Sequence, residues 1–250
     1  QRKLDALARS TDAPTEGERL QVLRAAAADI DSTVQDAGPF IRAEAAIAKT
    51  RLLMSSDSHS TGILTAVGWL DPVIDDEGAA AFHRAESLFL KAELYLRSGL
   101  KDPALKAYQQ VAARFPALRP WADDAVERLL DTALAEIPKD DDQDRIKRLR
   151  QIAEANRKTL PVVAMAAYNR IGDLQYDAGD WDQAKSSFRA AITISGSEQQ
   201  PPQAAAARFS LAEILYLEEQ FRQSLDLYEQ EIGLRPETDR IYQLARTGYI

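Results

Sequence analysis

The chain contains no cysteine. No disulfide can staple it, and no thiolate can act as nucleophile or soft metal ligand. Histidine is almost absent: His59 and His83 are the only two, far apart, outside any HExxH spacing, and both are read as surface residues. Glycine is sparse, at 11 of 250 residues, and forms no G-x-S-x-G elbow, P-loop or glycine-rich phosphate loop. No run approaches the ~18 apolar residues that a membrane-crossing helix needs, and no basic segment precedes a short apolar one as in a signal peptide. Lys and Arg number 31 against 39 Asp and Glu, so the net charge is −8. That balance argues against a broad nucleic-acid surface. The expectation from these absences is a non-catalytic chain with no cofactor, no metal, no catalytic residue and no transmembrane segment.

One acidic run resembles the start of a calcium loop. Asp140, Asp142 and Asp144 alternate, yet Arg145 and Gln151 occupy the places where the loop needs Gly and Glu. The run is read instead as a solvated turn whose acids favour the N-terminus of the next helix.

What the chain does have is repetition. Residues 88–116, 168–196 and 208–236 line up on one another. Ala104, Ala184 and Ser224 are equivalent small residues, followed four later by Tyr108, Phe188 and Tyr228. The last two copies are 40 residues apart and the first two are 80 apart, two strides. Each copy reads as a helical hairpin. In the second, Ile171, Gly172, Leu174 and Tyr176 lie on a first helix that Gly179 ends in the left-handed conformation. Asp180 caps a second helix carrying Trp181, Ala184, Phe188, Ala191 and Ile192 at helical spacing. In the first copy Gly99 stops helix one, and Asp102-Pro103 is read as cap and first-turn proline of helix two. Small residues at Ala92, Gly172 and Ala212 let two helices approach. One hairpin cannot bury its apolar faces alone, so the copies must stack.

The pattern continues outside these copies. Thr15 and Glu18 form a capping box before Leu20, Leu23, Ala27, Ile30 and Val34 on one helical face. A helix with Phe40, Ile47 and Leu53 follows Gly38-Pro39. Residues 55–60 read as a loop, and a short helix with Ile63, Val67 and Leu70 runs into Asp71-Pro72. Pro120 opens a helix with Val126, Leu129, Ala133 and Ile137; Ile146, Leu149, Ile152 and Ala153 share a face of the next. The chain is thus read as one solenoid over 1–250, with degenerate hairpins at 15–75 and 120–160, about six hairpins in all, and a capping helix at 238–250. The fold class expected is all-α, an α-solenoid of stacked antiparallel helical hairpins.

These residues resemble the tetratricopeptide repeat (TPR). Ile171-Gly172, Ala184, Phe188 and Ala191 match its consensus in the second copy. Leu211-Ala212, Tyr228 and Pro236 match in the third, and Ala92, Tyr95, Ala104, Tyr108, Val111 and Pro116 in the first. Two features depart from it. The stride is 40 against about 34 for the standard repeat, and Leu88, Tyr168 and Arg208 stand where the consensus opens with Trp. The resemblance implies a right-handed superhelix that binds proteins. In that family the first helices line a concave groove, and the groove-facing consensus positions fall here on Phe89, Glu93 and Leu96; on Asn169, Asp173 and Tyr176; and on Phe209, Glu213 and Tyr216. Chaperone-binding members hold a carboxylate there with Lys and Asn. Three acids at one equivalent position would repel a carboxylate and suit a basic, apolar segment. The alternative is that Phe89 and Phe209 are core and the acids an ordinary solvated face. Lys147, Arg150, Arg157 and Lys158 share about 100° of helical arc and are read as the polar side of an amphipathic helix, with a docking strip for an acidic partner or phosphate as the alternative.

Function is therefore expected to be that of a scaffold binding a protein or peptide segment. The other readings are a structural repeat domain of a bacterial envelope or membrane-anchored assembly, which exposed Trp69 and Trp121 would favour, and a helical-solenoid domain of a larger enzyme. The chain opens on Gln1 rather than Met, which leaves room for an upstream signal or anchor. Zero cysteine and Ala/Asp/Arg-rich usage point toward a bacterial periplasm or envelope, with the cytoplasm as the alternative.

Overall fold

The computed structural model describes residues 16–55, 61–195, 201–234, 242–243 and 246–247. Thr15, His59 and most of the expected capping helix at 238–250 lie outside them. Among the described residues the chain is all-α, a solenoid of helical hairpins. The helices are α1 (Glu16–Val34), α2 (Pro39–Ser55), α3 (Thr61–Asp75), α4 (Ala81–Arg97), α5 (Lys101–Arg114), α6 (Arg119–Leu134), α7 (Asp142–Asn156), α8 (Pro161–Asp177), α9 (Trp181–Ile194), α10 (Pro202–Leu217) and α11 (Phe221–Leu234). None of them is long and apolar enough to cross a membrane.

The chain divides into two compact units, Gln1–Leu129 and Leu130–Ile250. In the first, α1 packs on α2, α2 on α3, α3 on α4 and α4 on α5, and α2 also reaches α4. In the second, α7 packs on α8, α8 on α9, α9 on α10 and α10 on α11, and α8 also touches α10. Within each unit these helices meet their chain neighbours and, in two cases, the helix two places on, which is the contact pattern of stacked hairpins.

The hairpin contact is set by the small residues expected from the repeat. Ala104 and Ala184 have no exposed surface, and Tyr108 and Phe188 are almost fully buried. A Cβ added to Gly172 would lie 2.6 Å from Cε1 and Cζ of Phe188, so α8 and α9 touch at a point where only glycine fits. Ser224 replaces alanine in the third hairpin, and its hydroxyl donates to the Ala212 carbonyl at 2.8 Å. That bond satisfies a buried polar group that would otherwise cost stability. The opening position, Trp in the consensus, is also held by hydrogen bonds here. Tyr168 donates to Glu154 of α7. Arg208 forms a buried ion pair with Glu231 of α11.

Three turns between paired helices share one geometry. Gly99 donates its N–H to Leu96 and Leu100 donates to Tyr95; Gly179 and Asp180 donate to Tyr176 and Gln175; Glu219 and Gln220 donate to Tyr216 and Leu215. This is the Schellman closure, which needs a left-handed residue. Gly99 and Gly179 supply it at φ +73° and +77°. Glu219 adopts φ +61°, a conformation that costs a residue with a side chain roughly 1–2 kcal/mol. Packing of α10 on α11 imposes the turn although the sequence offers no glycine.

Several local expectations are corrected. Asp102 does not cap α5: the helix begins two residues earlier than that cap implies, at Lys101 after Leu100, and Asp102 lies inside its first turn. Pro72 does not end α3 but lies within it, because Val73 and Ile74 beyond it are buried and hold the last turn. Asp142 is the first residue of α7 rather than part of a turn, and it pairs with Arg145 at 3.3 Å. Asp141 is the cap, accepting the Asp144 N–H at 3.0 Å. His83 is not at the surface. It is fully buried, with its ring edge on to Phe40 and its Nε2 2.7 Å from Glu44 Oε1. Trp69 and Trp121 are not exposed either: both are half-buried, Trp69 against the cluster of Ala43, Ala46, Val73 and Ala79, Trp121 against Phe89.

Two variants check the hairpin geometry. Ala184→Trp forces an indole into a contact with no free surface and is expected to cost about 3 kcal/mol or more. Glu219→Gly relieves the left-handed strain and is expected to raise stability by about 1 kcal/mol. Denaturant melts of both variants beside the parent read out the two shifts, and the register is wrong if the signs agree.

Candidate interaction surface

The first helices of the hairpins carry the residues expected to bind. On α4, Phe89 is half-buried, its ring 5.6 Å from those of both Tyr108 and Trp121. Glu93 accepts a hydrogen bond from the Tyr108 hydroxyl at 2.6 Å and lies 3.1 Å from Arg128 Nε of α6. It is hydrogen-bonded on one side and ion-paired on the other. Leu96 is half-buried. On this helix the aromatic and the acid both face structural partners.

The equivalent residues of α8 and α10 are arranged differently. Asn169 donates through Nδ2 to the Gln203 carbonyl at 2.7 Å, tying α8 to the first turn of α10. Asp173 and Glu213 are exposed. The Tyr176 ring stacks on Trp181 with centroids 6.3 Å apart and planes 13° from parallel, and its hydroxyl reaches Glu213 Oε1 at 3.5 Å. Phe209 packs on Tyr228 at 5.8 Å. Tyr216 is 61% exposed, edge on to Phe221 at 5.3 Å, and Phe221 is itself 55% exposed. The second unit thus brings Asp173, Tyr176, Glu213 and Tyr216 onto two packed helices, and Phe209 is held partly buried beside them.

The sequence did not point to three neighbours of this surface. Trp181 backs Tyr176, and Leu217 and Phe221 extend the exposed apolar area around Tyr216. The signal for Leu217 is the unbroken apolar run Leu215-Tyr216-Leu217 at the end of α10, wider than a one-sided helix stripe. Nearby, Lys185 is nearly buried and held by both carboxylate oxygens of Glu218 at 2.6 and 2.7 Å and by Asp182 at 3.0 Å. Those bonds, the Glu218 one first, raise its pKa, so it stays charged and binds α9 to the end of α10. On α7, Lys147 and Arg150 are exposed, whereas Arg157, 3.9 Å from Glu154, and the exposed Lys158 lie just past its last residue, Asn156.

Carboxylates and burial also set the tyrosine chemistry. Burial, with the bond to Glu93, pushes the Tyr108 phenol well above its ordinary range. Burial and Glu154 raise Tyr168, the Glu213 charge raises Tyr176, and burial with Glu213 raises Tyr228.

Residues 86–117 match a tetratricopeptide-repeat family model, and residues 166–198 match another. These segments contain most of α4 with α5, and most of α8 with α9. The chain carries tetratricopeptide-like repeats. No curated protein sequence matches it. Among solved structures, BtubC (BKLC) from P. vanneervenii is 14% identical, covering 95% of this chain and 94% of that one, with a TM-score of 0.40. A Podosopora anserina protein described as a kinesin light chain with nearly identical TPR-like repeats is 19% identical, covering 84% and 98%, with a TM-score of 0.35. A point variant of that same protein is 19% identical, covering 80% and 92%, with a TM-score of 0.33. The repeats support a protein-interaction scaffold.

The tyrosine shifts carry a pH dependence. A phenol raised in the folded state keeps its proton while the unfolded chain loses one near pH 10. The folded state then binds more protons, so its stability is complete below about pH 10 and falls above it. Melting temperature is expected to drop between about pH 10 and 11.5, less steeply in Tyr108→Phe. An identical slope in that variant would remove Tyr108 from the account.

Proposed function

We propose that the chain is a non-catalytic scaffold whose second unit binds a basic, apolar protein segment across α8 and α10. The observation that carries this reading is the joint exposure of Tyr216 with Asp173 and Glu213 on successive first helices. Aromatic anchors supply most of the energy in protein interfaces, while the charges around them set on-rate and selectivity. Tyr216, Leu217 and Phe221 give an apolar contact, and Tyr176 stacked on Trp181 gives a second, rigid one. The acids between them favour Lys and Arg on the partner and disfavour carboxylates. In the first unit, Glu93 is engaged by Tyr108 and Arg128, so Phe89, Glu93 and Leu96 contribute little to such binding, and the specificity resides in Asn169, Asp173, Tyr176, Phe209, Glu213 and Tyr216.

A displayed random-peptide library tests this reading directly. Selected peptides are expected to combine Lys or Arg with Leu, Phe or Trp. Asp173→Lys with Glu213→Lys is expected to weaken them at least tenfold and to flatten the salt dependence of what remains. Tyr176→Ala with Tyr216→Ala is expected to weaken them further. Selection of acidic peptides, or unchanged affinity in both double variants, would move the binding surface away from these helices.

A further inference from the structure

Two exposed features of the second unit complement each other and are not joined within one copy. The first is the end of α10. Tyr216, Leu217 and Phe221 are 61%, 47% and 55% exposed, and the exposed Glu213 lies one helical turn before Leu217. The Tyr176 hydroxyl reaches Glu213 at 3.5 Å, yet Glu213 forms no ion pair among the described residues. Large apolar groups exposed together, with an acid beside them, mark a contact surface rather than a solvated face.

The second feature lies past α11. Residues 240–250 hold Arg240 and Arg246, six apolar residues and no acid. The described pairs in this segment, Tyr242 with Gln243 and Arg246 with Thr247, are helical. The Thr247 hydroxyl donates to the Gln243 carbonyl at 2.8 Å, across one helical turn. Arg246 is exposed and, like Glu213, forms no ion pair among the described residues. Tyr242, Arg246 and Tyr249 recur at i, i+4 and i+7, the spacing of anchors on a helix that docks in a groove. The segment is thus basic and apolar, as the α8 and α10 surface requires of its partner. Within one copy the fold does not bring Arg246 to Glu213, so pairing them takes two copies.

We infer, on the reading of α8 and α10 as the binding surface, that one partner of that surface is a second copy of this chain. Residues 240–250 of one copy dock on α8 and α10 of the next. Arg246 pairs with Glu213, and the apolar residues around it cover Tyr216, Leu217 and Phe221. The two sides of the contact differ, so the interface is heterologous. Each copy has both a surface and a segment to offer, so two copies exchange segments or further copies add.

Sedimentation velocity of the full chain tests this docking. The parent is expected to associate with a dissociation constant below about 100 μM, its mass rising from monomer to dimer or beyond with concentration. Glu213→Gln with Tyr216→Ala disables the surface, and Arg240→Gln with Arg246→Gln disables the segment. Each double variant alone is expected to associate at least tenfold more weakly. Mixed in equal amounts they are expected to form a dimer and nothing larger, since one offers only a segment and the other only a surface. Circular dichroism confirms that both are folded. A synthetic peptide of alternating lysine and leucine is expected to return the parent to monomers. A parent that stays monomeric while binding that peptide would overturn the self-docking and leave the binding surface standing; a parent that does neither would overturn both. Undiminished association of folded Arg240→Gln with Arg246→Gln, or no dimer in the mixture, would also overturn it.

Discussion

The structure depends on how closely the two helices of a hairpin approach. At Gly172 the Phe188 ring sits where a methyl group would be, and at Ala104 and Ala184 no surface is left. An aromatic ring can be fully buried between two helices only if the facing residue gives up its own side chain. That trade fixes the register of one helix on the other and hence which residues turn outward. Asp173, Tyr176, Glu213 and Tyr216 share a surface because Gly172 and Ala212 on the same helices face inward. The Schellman turns maintain the pairing from the end of each hairpin, strongly enough that Glu219 accepts a left-handed backbone.

The hairpins were legible in the sequence because the rule that builds them is local and periodic. A small residue and an aromatic four later recur at a fixed stride, preceded in two of the three copies by a turn glycine. What was not legible depends on residues far apart in the chain or on packing that overrides a local signal. Glu93 looks like an open acid until Arg128, 35 residues on, is brought beside it. His83 looks like a surface residue until Glu44 and Phe40 close over it. Pro72 reads as a helix end, yet buried residues on its far side carry α3 through it. Of the nine expected surface residues, Asp173, Glu213 and Tyr216 could be placed by register alone. The inward packing of Phe89 depended on Trp121, which the repeat does not contain.

The same contrast bears on function. The equivalent acids are half-buried on α4, as Glu93, and exposed on α8 and α10, as Asp173 and Glu213. The repeat supports an interaction scaffold, and in the proposed function the side chains that break its equivalence decide where that scaffold binds. Tyr216, Leu217 and Phe221 break it most clearly, since large apolar groups exposed together are uncommon on a surface with no partner.

The most direct measurement is nuclear magnetic resonance of the isotope-labelled chain titrated with a synthetic peptide of alternating lysine and leucine. The account predicts shift changes concentrated at Asp173, Tyr176, Trp181, Glu213, Tyr216 and Phe221, shrinking as salt is raised. Changes centred on Lys147 and Arg150 of α7 and Lys158 just beyond it, or on α4, would contradict it.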